Sequence, residues 1–332
     1  MAEWLYETGI GEARAALVDG GSIIEAAIEP DEGGPRAGAV LAARLGPAMP
    51  PAGARVSFDG GDEGLLDRVP GGVSEGATIL IEVVREALPE RDRAKLARVR
   101  MAPADAHARP GPDLRARIAA SGVPVRVLAG HQPDALEAAG WSELIEAASS
   151  GIIDFRGGQL RLSFTPAMTL FDVDGVLAAT PLAIAGAAAA GRAIRQLDIG
   201  GSIGIDLPTL SSREERQAAA RALDAALPPP FERTAVNGFG FLQLIRRRVR
   251  ASLPERIGGD PVGHAARALL RRAERSRGAG PRTLAAAPAV IAALKARPAW
   301  IAELERRLGA AARLQADPSL AIFAGDVVVD HP

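Results

Sequence analysis

The chain has 332 residues, and its 48% hydrophobic and 24% charged content is typical of a globular protein with room for two or three domains. It contains no cysteine, which excludes disulfides and thiolate zinc sites, and its net charge of −1 excludes polyanion binding through a bulk positive charge. The N-terminus lacks the pattern of a signal peptide, and the Ala-rich stretch at 182–193 is too short to cross a bilayer. We therefore expect a cytoplasmic protein with no membrane partner.

Residues 1–84 consist of short apolar runs separated by glycine and proline, a pattern that favours β-structure. Runs on both sides of Asp19-Gly-Gly predict a β-hairpin, and a Gly/Pro-rich linker follows at 31–37. The spacing of the runs over 38–84 predicts a small β-barrel. Residues 101–124 are rich in proline and alanine and show little periodicity. After them, the pattern predicts one strand and two helices, at 125–128, 134–139 and 142–148.

The next stretch alternates strand and helix patterns. Two alternating runs around Gly157-Gly predict a second hairpin. A strand over 168–173 leads to a helix that Thr180-Pro is predicted to open, with threonine as the N-cap. A strand over 202–207 leads to a second helix, which the capping box Ser212-Arg-Glu-Glu opens. This order predicts a βαβ unit with two parallel strands.

Three aspartates lie at the ends of these two strands. Asp172 and Asp174 end the first strand, and Asp206 ends the second. A right-handed crossover places both ends at the same edge of a parallel sheet, where carboxylates commonly hold a divalent cation. The alternative is that these acids only cap helices or form turns.

Arginine supplies most of the positive charge, because only two of the 39 basic residues are lysines. The basic residues cluster locally at 91–100 and 246–250. The periodicity of 241–249 predicts a helix that carries the second cluster. Such clusters either lie on solvated helix faces or contact phosphates.

The tail at 264–332 predicts two or three helices and a last strand at 327–329, a small α+β module. The histidines share no spacing typical of metal ligands, and we expect each of them at the surface. They are His107, His131, His264 and His331. No Ser/His/Asp arrangement and no phosphate-binding P-loop is visible.

Three segments, in the same order along the chain, resemble the ribonuclease E/ribonuclease G family of bacterial endoribonucleases. Residues 165–175 resemble T-E-A-L-V-x-I-D-V-N-S-G, residues 193–206 resemble I-A-R-Q-L-R-L-R-D-x-G-G-x-I-V-I-D, and residues 239–253 resemble F-G-L-x-E-M-x-R-Q-R-x-R-P-S-L. More weakly, 12–20 resembles the N-terminal strand pair of that family, and 38–100 resembles its S1 domain.

The resemblance implies an α/β and α+β multidomain fold. In it, an S1/OB-like β-barrel is inserted in a ribonuclease H-like or deoxyribonuclease I-like catalytic region. The implied units are N-terminal strands packed on the catalytic region (1–30), an S1-like RNA-binding domain (38–100), a reduced sensor or connecting region (101–150), a catalytic domain (151–253) and a small C-terminal α+β module (254–332).

The resemblance also implies the site. Asp172 and Asp206 would bind one Mg²⁺, with Mn²⁺ as an alternative, and Asp174 would support them as a third catalytic residue where the family has asparagine. The metal would activate a water to attack a phosphodiester and would stabilise charge on the phosphorus oxygens. Basic residues that match the family would contact single-stranded RNA: Lys95, Arg246, Arg248 and Arg250.

The chain departs from the family at four places. Without cysteine, the zinc link between protomers is excluded, so any homo-oligomer needs another interface. The sensor for a 5′-monophosphate is missing or shortened between 100 and 150. We therefore expect cleavage to depend only weakly on the 5′ end of the RNA. The base-stacking aromatics of the S1 domain fall near Ser57 and Leu65, while Phe58 is expected in the barrel core. Gly238 replaces an arginine, so a positive charge is lost.

Together these patterns favour a Mg²⁺-dependent endoribonuclease that hydrolyses internal phosphodiester bonds of single-stranded RNA, in RNA processing or decay. One alternative is a catalytically silent RNA-binding or regulatory paralogue, which the four departures favour and the retained acid pair opposes. Another is a metal-dependent hydrolase of smaller phosphate esters, which leaves the S1-like region unexplained. The near-neutral net charge predicts a shallow dependence of RNA affinity on salt.

Overall fold

The computed structural model describes residues 1–89 and 95–329, which form three open sheets, one closed barrel and the helices that cover them. The strands are β1 Glu3–Thr8, β2 Glu12–Asp19, β3 Ser22–Pro30, β4 Val40–Met49, β5 Gly53–Phe58, β6 Glu63–Leu66, β7 Thr78–Arg85, β8 Ala97–Met101, β9 Val125–Leu128, β10 Ile152–Phe155, β11 Gly158–Phe164, β12 Thr169–Gly175, β13 Gly201–Asp206, β14 Glu232–Arg233, β15 Phe241–Arg246, β16 Arg282–Ala286, β17 Ala312–Ala316 and β18 Asp326–Val329.

The helices are α1 Leu114–Ala119, α2 Ala135–Ala138, α3 Trp141–Ser150, α4 Ala179–Gln196, α5 Arg213–Ala226, α6 Leu253–Gly259, α7 Pro261–Arg275, α8 Pro288–Lys295 and α9 Pro298–Leu308. Residues 91–94 of the first basic cluster, and His331, lie outside the described residues. None of the helices in the described ranges has both the length and the apolar character needed to cross a membrane.

The N-terminal strands form a four-stranded sheet in the order β3-β2-β1-β9. The predicted hairpin around Asp19 is confirmed, because β2 and β3 pair antiparallel across that turn. Strand β1 was not predicted, because a run of four buried residues hides the alternation of a half-exposed strand. One face of this sheet packs on α1 through Leu114 and Ile118, and the other face joins the main core through residues such as Leu5 and Ile28.

Strands β4 to β8 close into a five-stranded barrel with the order β4-β5-β6-β8-β7, in which only β6 and β8 pair in parallel. This arrangement is compatible with the predicted OB-like barrel. Phe58 is 7% exposed and lies in the barrel core, as expected. Its ring fills the space above Gly64, where a Cβ would lie 2.7 Å from Phe58 Cζ.

The third sheet has six strands in the order β10-β11-β12-β13-β15-β14, and α4 and α5 cover one of its faces. The hairpin around Gly157 and the parallel pair β12–β13 of the βαβ unit are both as predicted. The helix predicted over 241–249 is wrong, because 241–246 form β15 between β13 and β14. Leu242 and Leu244 bury the inward face of this strand, so sheet pairing overrides the helical periodicity.

Helix α4 also begins earlier than predicted. Its N-cap is Ala178, two residues before Thr180, and no side chain caps it. The hydroxyl of Thr180 donates a hydrogen bond to Glu215 instead. The capping box at Ser212 is present at the start of α5, as the local sequence predicted.

The C-terminal module has a three-stranded sheet, β17-β16-β18, packed against α7, α8 and α9. Buried ion pairs connect α7 to the N-terminal sheet, since the carboxylate of Glu12 contacts Arg267 at 3.0 Å and Arg271 at 2.7 Å. His264 lies beside this cluster and is only 4% exposed, so the expectation of a surface histidine is wrong at this position. Burial lowers the pKa of His264, although the charge of Glu12 opposes this shift.

Candidate functional site

Asp172 and Asp206 are register partners on the parallel strands β12 and β13. Neighbouring strands lie about 4.8 Å apart, so the two carboxylates leave the sheet side by side. Both residues are exposed, because the alternate positions Phe171, Val173 and Ile205 point into the core. The prediction that these two acids meet is therefore confirmed, although β12 continues to Gly175, so Asp172 lies within its strand whereas Asp206 ends β13. We call this end of the β12–β13 pair the open edge.

Asp172 and Asp206 are the middle two of a row of four residues that lie side by side on four adjacent strands. Arg161 on β11 is the register partner of Asp172, and Phe241 on β15 is the register partner of Asp206. Register partners present their side chains on the same face of a sheet. The acid pair therefore has a cation on one flank and an aromatic ring on the other. Sequence reasoning missed both flanking residues, although alternation along the hairpin at Gly157 would have placed Arg161 on the exposed face.

Asp174 lies two residues further along β12, on the same face as Asp172. Its Oδ2 lies 3.6 Å from Nε of Arg161, and both side chains are more than 60% exposed. Partial burial raises the pKa of Asp172, and the neighbouring carboxylates of Asp174 and Asp206 raise it further, while Arg161 opposes the shift. The three acids thus form a region of mutual repulsion, which a bound cation would relieve.

The donor set fits a hard divalent cation. Mg²⁺ is usually held by one or two carboxylates and keeps several water ligands, and carboxylate with water also suits Mn²⁺. Asp172 and Asp206 provide such a pair at an open edge. Over 1–89 and 95–329, no three or more histidine, aspartate or glutamate side chains come together as a complete metal cage. Water would therefore supply most of the ligands.

The loop before β15 borders this edge and is held rigidly. The side-chain Oδ1 of Asn237 accepts hydrogen bonds from the backbone N–H groups of Phe239 and Phe241, at 2.9 and 3.0 Å. Gly240 has φ +93°, and a Cβ there would lie 2.2 Å from the carbonyl oxygen of Leu207. At Gly238, which aligns with an arginine of the family that the sequence resembles, a Cβ would meet nothing within 4 Å. This position is thus open to solvent.

Glu215 fixes the helix starts behind the acid strands. Its carboxylate accepts hydrogen bonds from the backbone N–H of Ser212 and the hydroxyls of Thr180 and Ser211. These bonds lower the pKa of Glu215 to about 2. The contact ties the first turn of α4, which follows β12, to that of α5, which follows β13.

The predicted RNA-binding arginines lie away from the acids. Arg246 pairs with Gly201 at the far end of β15, five residues from Phe241, which corresponds to roughly 17 Å along the strand. Nη1 of Arg246 lies 3.4 Å from Oδ1 of Asp198, and Nη1 of Arg250 lies 3.8 Å from its Oδ2. These arginines border a cleft of about 200 Å³. The sheet places this basic cluster at the edge opposite the acid pair.

The remaining charges of the cluster connect the barrel to the large sheet. Arg248 forms an ion pair with Glu255 in α6. Glu86, just after β7, contacts Arg256 at 3.2 Å and Arg250 at 3.9 Å. Its backbone N–H also donates to the carbonyl of Val249 at 2.9 Å. Arg250 and Arg256 therefore hold the end of β7 against the large sheet through Glu86.

Lys95 lies two residues before β8, and its backbone N–H and carbonyl form two hydrogen bonds with the backbone of Leu88. Near the proposed S1 surface, Ser57 is exposed and Leu65 is half-buried. Phe58 is the single aromatic residue between 38 and 101, and it is buried. The barrel surface therefore offers no aromatic side chain for base stacking.

No protein-family model matches this sequence, and no curated protein matches it at a significant level. The class of protein is defined by its fold and its site: a mixed α/β protein with a closed five-stranded barrel and a pair of aspartates at an open sheet edge.

Proposed function

We propose that this protein is a Mg²⁺-dependent endoribonuclease that hydrolyses internal phosphodiester bonds of single-stranded RNA. The observation that carries the proposal is the side-by-side register of Asp172 and Asp206 at an exposed sheet edge. The three motifs that resemble the ribonuclease E/ribonuclease G family support it. In this proposal the six-stranded sheet is the ribonuclease H-like or deoxyribonuclease I-like catalytic region, and the barrel is its S1-like domain.

Each residue of the row has a chemical task. Asp172 and Asp206 would hold Mg²⁺, which, when bound, supplies a polarised water and offsets the negative charge of the phosphate. Asp174 lies on the same strand face and can accept a hydrogen bond from the attacking water, which orients it. All three groups act as carboxylates, so the chemistry requires them to be deprotonated.

Arg161 supplies the cation that holds the phosphate in this proposal. Its side chain is 64% exposed, and its contact with Asp174 at 3.6 Å is too long for a hydrogen bond. The guanidinium is therefore free to donate two hydrogen bonds to a phosphate oxygen pair. This places a positive charge on the Asp172 side of the site, opposite the side of Gly238.

A second candidate function is a silent RNA-binding or regulatory protein. The specific observation in its favour is that Arg246, Arg248 and Arg250 all have acidic partners within the chain. The barrel also lacks a surface aromatic. Both features weaken the hold on an RNA substrate and so favour a protein that has lost cleavage, but neither accounts for three carboxylates that share one cation, Arg161.

The deciding experiment is cleavage of an internally labelled, unstructured RNA with Mg²⁺ by wild type and by Asp172→Asn and Asp206→Asn. Both substitutions keep the shape and remove one charge, so cleavage should fall at least a hundredfold in each. Asp59→Asn, an exposed acid in a barrel turn, is the matched control and should cleave like wild type. Cleavage that survives both site variants would refute the assigned centre. RNA binding by a wild type that never cleaves would favour the silent protein.

Arg161 has its own test. Arg161→Gln should lower kcat/KM for RNA about tenfold, and Arg161→Lys should restore only part of the loss, because lysine cannot donate a bidentate pair. Arg156→Gln, in the adjacent hairpin turn, removes the same charge from an exposed position and is the control. Equal losses in the two glutamine variants would show that only the overall charge matters.

A further inference from the structure

Phe239 is the most exposed aromatic side chain of the protein. All aromatic residues lie in the described part of the chain, and most of them are buried or half-buried. Phe239 is 84% exposed, whereas Phe323 and Phe164, the next in order, are 47% and 45% exposed. A singly exposed apolar side chain is common in proteins, so the setting of Phe239 has to decide whether it has a role.

The exposure of Phe239 is built into a rigid loop. Asn237 fixes the loop through its two backbone hydrogen bonds, one of them from the N–H of Phe239 itself. Gly240 packs so closely on the carbonyl of Leu207 that no side chain fits there. Thr209 donates a longer hydrogen bond, 3.5 Å, to the carbonyl of Phe239. The ring is therefore presented to solvent by a preorganised backbone, which lowers the entropy cost of binding a partner.

The same loop lies directly against the acid pair. Phe241, two residues after Phe239, is the register partner of Asp206. The backbone N–H of Leu207 donates to the carbonyl of Gly240 at 3.3 Å, which joins the loop to the residue that follows Asp206. Phe241 is half-buried, and its ring lies over Gly204, where a Cβ would approach within 2.6 Å. Phe241 thus borders the carboxylates on the side away from Arg161, and Phe239 lies in the loop that leads into it.

We propose that Phe239 is a base-stacking residue, which holds a nucleobase of a single-stranded substrate next to the bond to be cleaved. The inference rests on the proposed function and names the part of the substrate that this edge recognises. Every nucleobase has a flat π-face, so stacking binds single strands with little sequence preference. Because the barrel surface has no aromatic side chain, Phe239 takes over the stacking that the S1 region lacks.

A nucleotide suits this edge better than a protein partner does. A protein that covered Phe239 would also remove water from the exposed carboxylates of Asp172 and Asp206, and burying unpaired charges is costly. A nucleotide instead brings a phosphate with its cation to the carboxylates and a flat apolar face to the ring. The carboxylates and the exposed ring then each have a favourable partner.

The test uses the full chain with Mg²⁺ and reads fluorescence in the first moments after stopped-flow mixing, so that the carboxylates keep their cation and cleavage does not interfere. In the F239W variant the new indole is exposed, whereas Trp4 and Trp141 are buried and Trp300 is half-buried, so the signal is the change in quenching relative to wild type. A single-stranded oligoribonucleotide should quench the added fluorescence, and an abasic oligomer of equal length and charge should not. The F323W variant carries its indole on the C-terminal module and should respond to neither. Equal quenching by both oligomers, or by neither, would overturn the inference.

Affinity gives an independent readout. By fluorescence anisotropy, Phe239→Ala should bind the base-bearing oligomer at least about fivefold more weakly than wild type, and Phe239→Tyr should restore binding. Binding of the abasic oligomer should be the same in all three proteins. An unchanged affinity in Phe239→Ala would overturn the stacking role even if wild type cleaves RNA. Base-dependent quenching by a protein that never cleaves would support stacking and refute the endoribonuclease.

Discussion

In the proposed endoribonuclease, Gly238→Arg should increase the rate of RNA cleavage, because it places a cation on the open side of the acid pair. A Cβ at this position meets no atom within 4 Å, and the backbone there is not in the left-handed region. The substitution therefore adds a side chain without displacing a neighbour. Asn237 and Gly240, which hold the loop, remain in place.

The expected increase in kcat/KM follows from the exposure of Gly238 to solvent. A hydrogen bond to a charged group contributes about 1.5–3 kcal/mol, but an ion pair in contact with water contributes only about 0.2–1 kcal/mol. Because Gly238 is open to solvent, we take about 1 kcal/mol, which corresponds to about a fivefold increase in kcat/KM. The added phosphate contact should also steepen the dependence of log Kd on log salt by about 0.7.

The assay is single-turnover cleavage of an unstructured RNA, together with binding measured over a range of salt concentrations. Gly258→Arg is the matched control, since Gly258 is also exposed with no neighbour within 4 Å but lies in α6, away from the acids. It should leave the cleavage rate unchanged. If both variants gain equally, the effect is one of overall charge. If Gly238→Arg gains nothing, the reasoning that this edge lacks a cation is wrong.

Two further predictions concern pH and stability. Burial, and then the neighbouring carboxylates, raise the pKa of Asp172 in the metal-free site, so the affinity for Mg²⁺ should fall as pH falls through a midpoint above the pKa of an ordinary aspartate. Asp174→Asn removes one of these charges and should move that midpoint of Mg²⁺ binding to lower pH; an unmoved midpoint would contradict this electrostatic coupling. Glu12→Gln should reduce the free energy of unfolding by about 3–5 kcal/mol in urea titrations, because it leaves Arg271 without its ion-pair partner and the buried Arg267 with Asp260 alone. Glu3→Gln, which removes an ion pair in contact with water, should cost less than about 1 kcal/mol. Burial raises the pKa of Glu12, but Arg271 and the other cations around it lower it by more. The stabilisation is therefore complete above the unfolded pKa, near 4.3, and is lost as pH falls through the lower folded value; equal pH dependence in Glu12→Gln would refute it.

The features that sequence reasoning predicted correctly depend on short-range interactions. The hairpins at Asp19 and Gly157 follow from turn residues between alternating runs, and the start of α5 follows from the capping box at Ser212. The meeting of Asp172 and Asp206 follows from the handedness of a single βαβ crossover. In each case the signal and the structure it specifies lie within one supersecondary unit.

The errors occur where a distant partner decides the outcome. Residues 241–246 have a periodicity that suits a helix, but pairing with β13 and β14 makes them a strand. That change places Arg246 at the edge opposite Asp206, because a strand extends about 3.4 Å per residue. His264 is buried because α7 packs its charged face against Glu12, which lies about 250 positions earlier in the chain.

The chain order of apolar runs, turns and acids was therefore enough to specify the strands that carry the carboxylates and the edge at which those carboxylates meet. Tertiary structure decided what surrounds them, namely Arg161 and Phe241 as flanks, an exposed Phe239, and acidic partners for the arginine cluster. The physical reason is the range of the interactions. Local backbone preferences act within a few residues, whereas cross-strand neighbours and buried ion pairs form only when the whole chain folds.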